Sequence, residues 1–268
     1  YVSAPDRLIA DDLWARLGPS TLVRDIVVFK ETDSTNDLAA RLGRNGAAGG
    51  VAIFAERQNA GRGRFGRRWQ SADSLGLWES ILLRPEWPVA HWPRLTTCVA
   101  VAIAWAIEKT LHLPGGRVEI KWPNDLQIGG KKIAGILIET GADRSLRPFA
   151  VVGFGINANH GSADFPEELS GKASSLREIE GKAVDRAALA VAIFQELEAW
   201  LPLIGNGFER IIAEATRRSC IVGGWIRLRG ADALIEGVAE GLDPEGRLLV
   251  RDGGGTLHCL SGGEVTVG

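Results

Sequence analysis

Cysteine is scarce: three in 268 residues, Cys98, Cys220 and Cys259. They are odd in number, far apart and set at no metal-ligand spacing, which excludes a disulfide framework and a cysteine-based zinc site. A reducing cytoplasm is the compartment this usage points to. Long apolar runs are missing as well. The longest charge-free apolar segment, Leu95 to Ile107, is too short to cross a bilayer. No signal peptide opens the chain, so no membrane partner is expected. Net charge is also small, -2 with a pI near 6.2, which argues against a general polyanion-binding surface. There is no internal repeat and no low-complexity segment. Methionine is absent and residue 1 is Tyr, so the initiator is missing. What remains, 45% hydrophobic and 24% charged, is the composition of a soluble globular protein with one large domain and a small companion.

Against that neutral background the run Gly61-Arg62-Gly63-Arg64-Phe65-Gly66-Arg67-Arg68-Trp69 stands out. It holds three glycines and four arginines in nine residues. Glycines let a backbone turn tightly and approach a ligand. Guanidinium forks between them suit carboxylate and phosphate. Apolar runs flank the segment, Val51 to Glu56 before it and Leu75 to Leu83 after it. A basic loop between two strands reads as a segment that covers an anionic substrate. Contact with nucleic acid is the competing reading of the same residues.

The rest of the chain divides in two. Helices are predicted over Asp11 to Leu17, from a Ser34 capping box through Arg44, over Leu95 to Leu111, Asp185 to Trp200 and Phe208 to Arg217. Strands are predicted at Ile26 to Phe29, Arg117 to Ile120 and Phe149 to Ile156. A hairpin turning on Gly129-Gly130 joins Leu126–Ile128 to Lys131–Thr140. After about Cys220 the pattern changes to five short alternating segments, Trp225–Leu228, Ala233–Ala239, Arg247–Arg251, Thr256–Leu260 and Glu264–Val267. Gly- and Asp-rich turns separate them, as in a small β-barrel. The expected domains are 1–219 and 220–268. Gly153-Phe154-Gly155 is no dinucleotide fingerprint, because no third glycine and no helix follow it.

Four segments share one explanation. They are Asp33-Ser34-Thr35-Asn36, Gln58 to Trp69, Lys121-Trp122-Pro123-Asn124-Asp125 with Lys131 to Glu139, and Gly153 to Asn157. Their wording and order resemble the biotin protein ligases, and the resemblance extends to the C-terminal β-segments. It implies an α+β fold: a mixed-sheet, class II synthetase-like catalytic domain with an SH3-like barrel behind it. It implies an ATP-dependent ligase that uses Mg²⁺, makes biotinyl-5′-AMP and transfers biotin to one lysine of a biotin carboxyl carrier domain. A homodimer is compatible with that reading.

The resemblance also implies residue roles. Ser34, Thr35, Asn36, Gln58, Arg62, Gly63, Arg64 and Lys132 fall on biotin-binding positions; Arg67, Trp69, Lys121, Asn124 and Asn157 fall on the nucleotide side. Hydroxyls and amides suit a ureido ring, which offers one acceptor oxygen and two N–H donors. Lys132, Arg64 and Asp125 are the expected catalytic set, with Asp125 a candidate Mg²⁺ ligand or orienter of the acceptor amine. Strand register alone leaves Lys131 and Lys132 open; the resemblance selects Lys132. By themselves, Gln58 reads first as a surface polar residue and Asp125 as a turn former after Pro123, while Trp69 reads equally as core. Glu79 departs from the family's apolar residue, and in the core it needs a partner such as an arginine. No helix-turn-helix domain fits before Asp33, so sequence-specific DNA binding is not expected. The rival functions are a lipoate or octanoyl ligase of the same superfamily and a non-catalytic nucleic-acid binder.

Overall fold

A computed structural model describes residues 6–230 and 234–267. Two sheets organise it. The larger has seven strands in the order β1-β2-β3-β7-β6-β5-β4. These are β1 (Asp25–Thr32), β2 (Val51–Gln58), β3 (Leu77–Leu83), β4 (Glu119–Lys121), β5 (Asp125–Ile128), β6 (Lys131–Ala142) and β7 (Pro148–Ile156). β1 and β2 run parallel and every other neighbour pair is antiparallel. The parallel pair needs a crossover, and α2 (Thr35–Arg44) supplies it. The β5–β6 hairpin turns on Gly129 and Gly130, both in the left-handed region at φ 57° and 75°, as a two-residue hairpin turn demands.

The two faces of the sheet are covered differently. α2 lies on one face, over a small apolar cluster of Ala39, Ile53, Leu82, Phe149 and Val151. The other face carries α1 (Ala10–Leu17), α3 (Arg94–Leu111), α5 (Arg186–Trp200) and α6 (Phe208–Arg217). α3 is the buried core helix that its all-round apolar sequence predicts: Leu95, Val99, Ile103 and Ile107 are fully buried. α5 opens on Asp185, whose carboxylate accepts from Ala188 N–H at 2.9 Å. With the 3₁₀ turn after it, Arg186–Ile204 is long and apolar enough to cross a membrane by composition. It packs instead against α1 and α3. Its buried Arg186 reaches Glu56 on β2 at 2.7 Å and the Gly76 carbonyl at 3.0 Å. A short helix absent from the sequence reading, α4 (Leu176–Glu180), follows β7.

The second sheet is antiparallel, in the order β11-β10-β9-β8-β12. Its strands are β8 (Trp225–Arg229), β9 (Leu234–Leu242), β10 (Leu248–Asp252), β11 (Leu257–Leu260) and β12 (Glu264–Val267). All five predicted segments are present; Ala233, predicted to open the second, lies outside the described residues. Ile226, Leu228, Leu248, Val250 and Val265 form its core, and Trp122 from the first sheet's β4–β5 turn is inserted into it. The Trp122 indole N–H donates to the Gly246 carbonyl at 3.1 Å. That one side chain fixes the Lys121–Asp125 turn against the small sheet.

Candidate active site

The basic loop, the start of α2, the β4–β5 turn and the middle of β6 and β7 surround a cavity of about 370 Å³. Its floor is bare backbone. A Cβ built on Gly153 would stand 1.8 Å from Asn36 Oδ1, and one on Gly155 or Gly135 would stand 2.7 or 2.8 Å from the Trp69 ring. These glycines let Asn36 and Trp69 lie directly on the sheet.

The α2 end of the cavity is polar. Ser34 is the N-cap residue, but its hydroxyl makes no cap hydrogen bond. The expected capping box is therefore absent, and the buried Ser34 Oγ is not spent on the helix. Thr35 N–H donates to Gln58 Oε1 at 2.9 Å, and the Thr35 hydroxyl lies 3.2 Å from the same oxygen. Ser80 donates to Asn36 Oδ1 at 2.6 Å and lies 2.7 Å from Thr35 Oγ1. The Asn36 amide donates to Glu139 at 2.7 Å. Asn36, expected on the ligand, thus has both ends of its amide committed to the sheet and acts as a strut for Ser34 and Thr35. Ser80 and Glu139, both outside the sequence reading, complete that strut.

Cations line the opposite wall. Lys132 Nζ pairs with Asp125 at 2.6 Å and lies 5.1 Å from the centre of the Trp69 ring. Lys131 is exposed. A register shift between Leu126 and Gln127 sets Gln127 opposite Lys132. The pocket therefore takes Lys132, the alternative that register alone left open. Asp125, expected as a metal ligand, is the ion-pair partner of that lysine. Among the described residues no three His, Cys, Asp or Glu side chains cluster to hold a metal. Arg64 donates to Asn124 Oδ1 at 3.2 Å. Burial pulls its guanidinium below the ordinary range, and the Asp125 charge opposes that shift. Asn124 in turn donates to the Ile136 carbonyl at 2.9 Å.

The loop closes as a small hairpin, with Trp69 N–H to the Gly61 carbonyl at 2.8 Å and Gly63 N–H to the Arg67 carbonyl at 2.7 Å. Arg62 bridges Asp37 and Glu139 at 2.7 and 2.9 Å. Arg67, expected to face phosphates, is exposed and paired with Glu264 of β12. Gly263, Glu264 and Val265 bring the small sheet into the cavity wall; a contact of the C-terminal segment with the adenylate side is expected from its Gly-rich turns, but not these residues. Lys121 and Asn157 also line the cavity. The Asn157 amide donates to the Ser174 carbonyl at 3.1 Å, so it fixes the segment behind β7.

An aromatic row that motif reading did not find continues from Trp69. Trp69 meets Trp78 edge-on at 6.2 Å, Trp78 meets His160 at 5.8 Å, and His160 stacks on Phe165 at 5.1 Å. Burial lowers the His160 pKa to about 4, against weaker opposing charge from Asp164 and Glu178, so the ring is neutral near pH 7. Trp69 Nε1, Trp78 Nε1 and His160 Nδ1 are buried with no partner among the described residues.

Comparison with known proteins agrees with this geometry. Residues 28–157 match the model of the biotin/lipoate A/B protein ligase family, and residues 226–268 match the biotin protein ligase C-terminal domain. The biotin–[acetyl-CoA-carboxylase] ligase of Mycobacterium tuberculosis is 33% identical over 265 residues, spanning 97% of this chain and 94% of that protein. The chain belongs to the biotin protein ligase family. The bifunctional ligase/repressor BirA of Bacillus spizizenii is 34% identical over 250 residues, 93% of this chain and 76% of that protein. The Aquifex aeolicus biotin protein ligase, solved in complex with biotin and ATP, superposes with a TM-score of 0.77 at 29% identity over 91% of this chain and 98% of that one. The likeness to that fold spans both sheets.

Proposed function

We infer that this chain is an ATP-dependent biotin–protein ligase. One observation carries the reading: a single cavity joins a hydroxyl and amide set at a helix start to a wall of cations, over glycines on which Asn36 and Trp69 lie directly. In the first step a biotin carboxylate oxygen attacks the α-phosphorus of ATP, and the bond to pyrophosphate breaks, leaving biotinyl-5′-AMP. In the second an acceptor lysine amine attacks the acyl carbon, the bond to AMP breaks, an amide forms and the amine gives up a proton.

Ser34, Thr35 and Gln58 read the ureido ring, with Asn36 holding that corner in place. Lys132 and Arg62 neutralise the carboxylate, and Lys132 with Arg64 stabilises charge developing at the α-phosphate. Gly63 gives the loop its close approach. Lys121, Asn124, Asn157, Trp69 and Arg67 serve the nucleotide side, Arg67 after leaving Glu264. Asp125 orients Lys132 and then the incoming amine. A bound Mg²⁺ would offset phosphate charge, and Asp125 is the side chain that would hold it beside the nucleotide. Residues 1–219 carry the chemistry, and 220–268 close the cavity through Glu264. The partner is a biotin-accepting carrier domain.

A lipoate ligase is the nearest rival. A fatty chain has no use for the polar corner at Ser34, Thr35 and Gln58, and burying that corner against it would cost desolvation without new hydrogen bonds. Pyrophosphate exchange in the presence of biotin or of lipoate tests the choice. Exchange with biotin alone is expected; exchange with lipoate alone would sink the reading.

A further inference from the structure

The tip of the Arg/Gly loop carries a backbone outlier. Arg64, Phe65 and Gly66 form one tight turn, closed by Arg67 N–H to the Arg64 carbonyl at 3.2 Å. Phe65 has φ 57° and ψ 32°, and Gly66 has φ 71°. A turn with two left-handed residues favours Asn, Asp or Gly at its first position, and a bulky side chain there is strained. The ring gains no burial in exchange. Phe65 is 67% exposed, with the Arg64 guanidinium 4.9 Å from its ring centre. Strain and exposure together do nothing for stability, and such outliers concentrate where function holds them. An exposed aromatic at the rim of the cavity, which Phe65 also lines, is the kind of residue that anchors a protein partner.

Its place selects the partner. The loop closes the mouth of the cavity, through which an acceptor amine must pass to reach the acyl carbon. The loop's charges add a second indication. Arg62 and Arg67 already hold carboxylates. Arg68, beside them, is exposed and donates to the Asn59 carbonyl at 3.2 Å, with no carboxylate partner among the described residues. An acidic surface is the complement. We propose that Phe65, with Arg68 next to it, is the docking anchor for the biotin-accepting protein, a domain that presents one lysine from an acidic face. This rests on the ligase reading above.

The test uses the full chain with Phe65→Asn and Phe65→Gly, both residues that the turn favours, so loss of folding is not expected. Biotin-dependent pyrophosphate exchange needs no acceptor and should match the parent. Transfer to the biotin-accepting domain of an acetyl-CoA carboxylase should show an acceptor KM raised about tenfold or more, as expected for one lost aromatic anchor. Its kcat should hold, and Arg68→Glu should raise the same KM. An unchanged acceptor KM in both Phe65 variants overturns the proposal. So does an unchanged KM with faster release of biotinyl-adenylate, which would make Phe65 a cover, or with loss of a dimer, which would make it a self-contact. A parent without biotin-dependent exchange would refute the ligase reading instead.

Discussion

Strand β3 turns Ser80 toward α2 and Leu77 and Ile81 toward the helical layer, with Glu79 between those two and also lining the cavity, and the two faces meet different demands. β7 repeats the division, with Gly153 and Gly155 on one side and Val152, Phe154 and Ile156 on the other. On the cavity face, volume is created by omitting side chains, and the polar groups around Thr35 and Asn36 bond one another. On the helical face, volume is filled. Its exception is Glu79, 1% exposed, with neither carboxyl oxygen hydrogen-bonded among the described residues. The arginine partner expected for it is absent; Arg186, the nearest candidate by type, is committed to Glu56 and Asp6. Burial alone pushes the Glu79 carboxyl well above its ordinary range, so it resides in the core as a neutral acid. One sheet therefore carries a face whose polarity is organised for a ligand and a face on which Glu56 is paired with Arg186 while the unpaired Glu79 only weakens the fold.

That contrast can be broken from either side. The largest effect belongs to Lys132. Lys132→Ala should slow adenylate synthesis by about 10²–10³ at saturating substrates, the usual loss for one electrostatic stabiliser, whereas Lys131→Ala should match the parent. Single-turnover synthesis separates them. Next comes Arg64→Gly, which removes a charged hydrogen-bond donor of about 1.5–3 kcal/mol from the cavity and should release adenylate roughly 10- to 100-fold faster. Off-rates of preformed adenylate measure it.

Smaller effects sharpen the comparison. Glu79→Gln removes a buried ionisable group and should stabilise the fold at neutral pH by about 1–3 kcal/mol, the scale of an uncompensated buried polar group. The sign follows from the raised folded-state pKa. Above the ordinary value of 4.5 the unfolded chain ionises this carboxyl while the folded chain keeps its proton. Stability from this group is full below that value and falls as pH rises, by up to about 1.4 kcal/mol per unit, until the folded group also ionises. Denaturant titrations from pH 5 to 8 should therefore show the variant's advantage widening. A constant advantage would remove Glu79 as the cause. Last, Ser34→Ala should weaken biotin binding several-fold, about one hydrogen bond's worth. It should leave the melting temperature unchanged, because the hydroxyl does not cap α2.

Much of this contrast was legible in the sequence, and the reason is local. Gly129-Gly130 specifies a turn whatever surrounds it, and the charge-free run from Leu95 to Ile107 can only be a core helix. The motif order likewise named the cavity residues. What escaped depends on contacts between distant segments. Ser80 and Glu139 matter because Asn36 reaches them from α2, and Glu264 because Arg67 crosses to the small sheet. His160 joins the cavity through Trp78 and Phe165, a stacking order that no spacing encodes. Ser34 misled because a hydroxyl before a helix caps it unless tertiary structure turns it elsewhere.

The division between faces is tested most directly by measuring biotin-dependent pyrophosphate exchange and thermal unfolding on the same preparations of Lys132→Ala and Glu79→Gln. The account predicts a crossed result. Lys132→Ala loses exchange and keeps the parent's melting temperature, and Glu79→Gln keeps exchange and melts higher. If Glu79→Gln lost exchange as severely as Lys132→Ala, the buried acid would belong to the catalytic face and the division would be wrong.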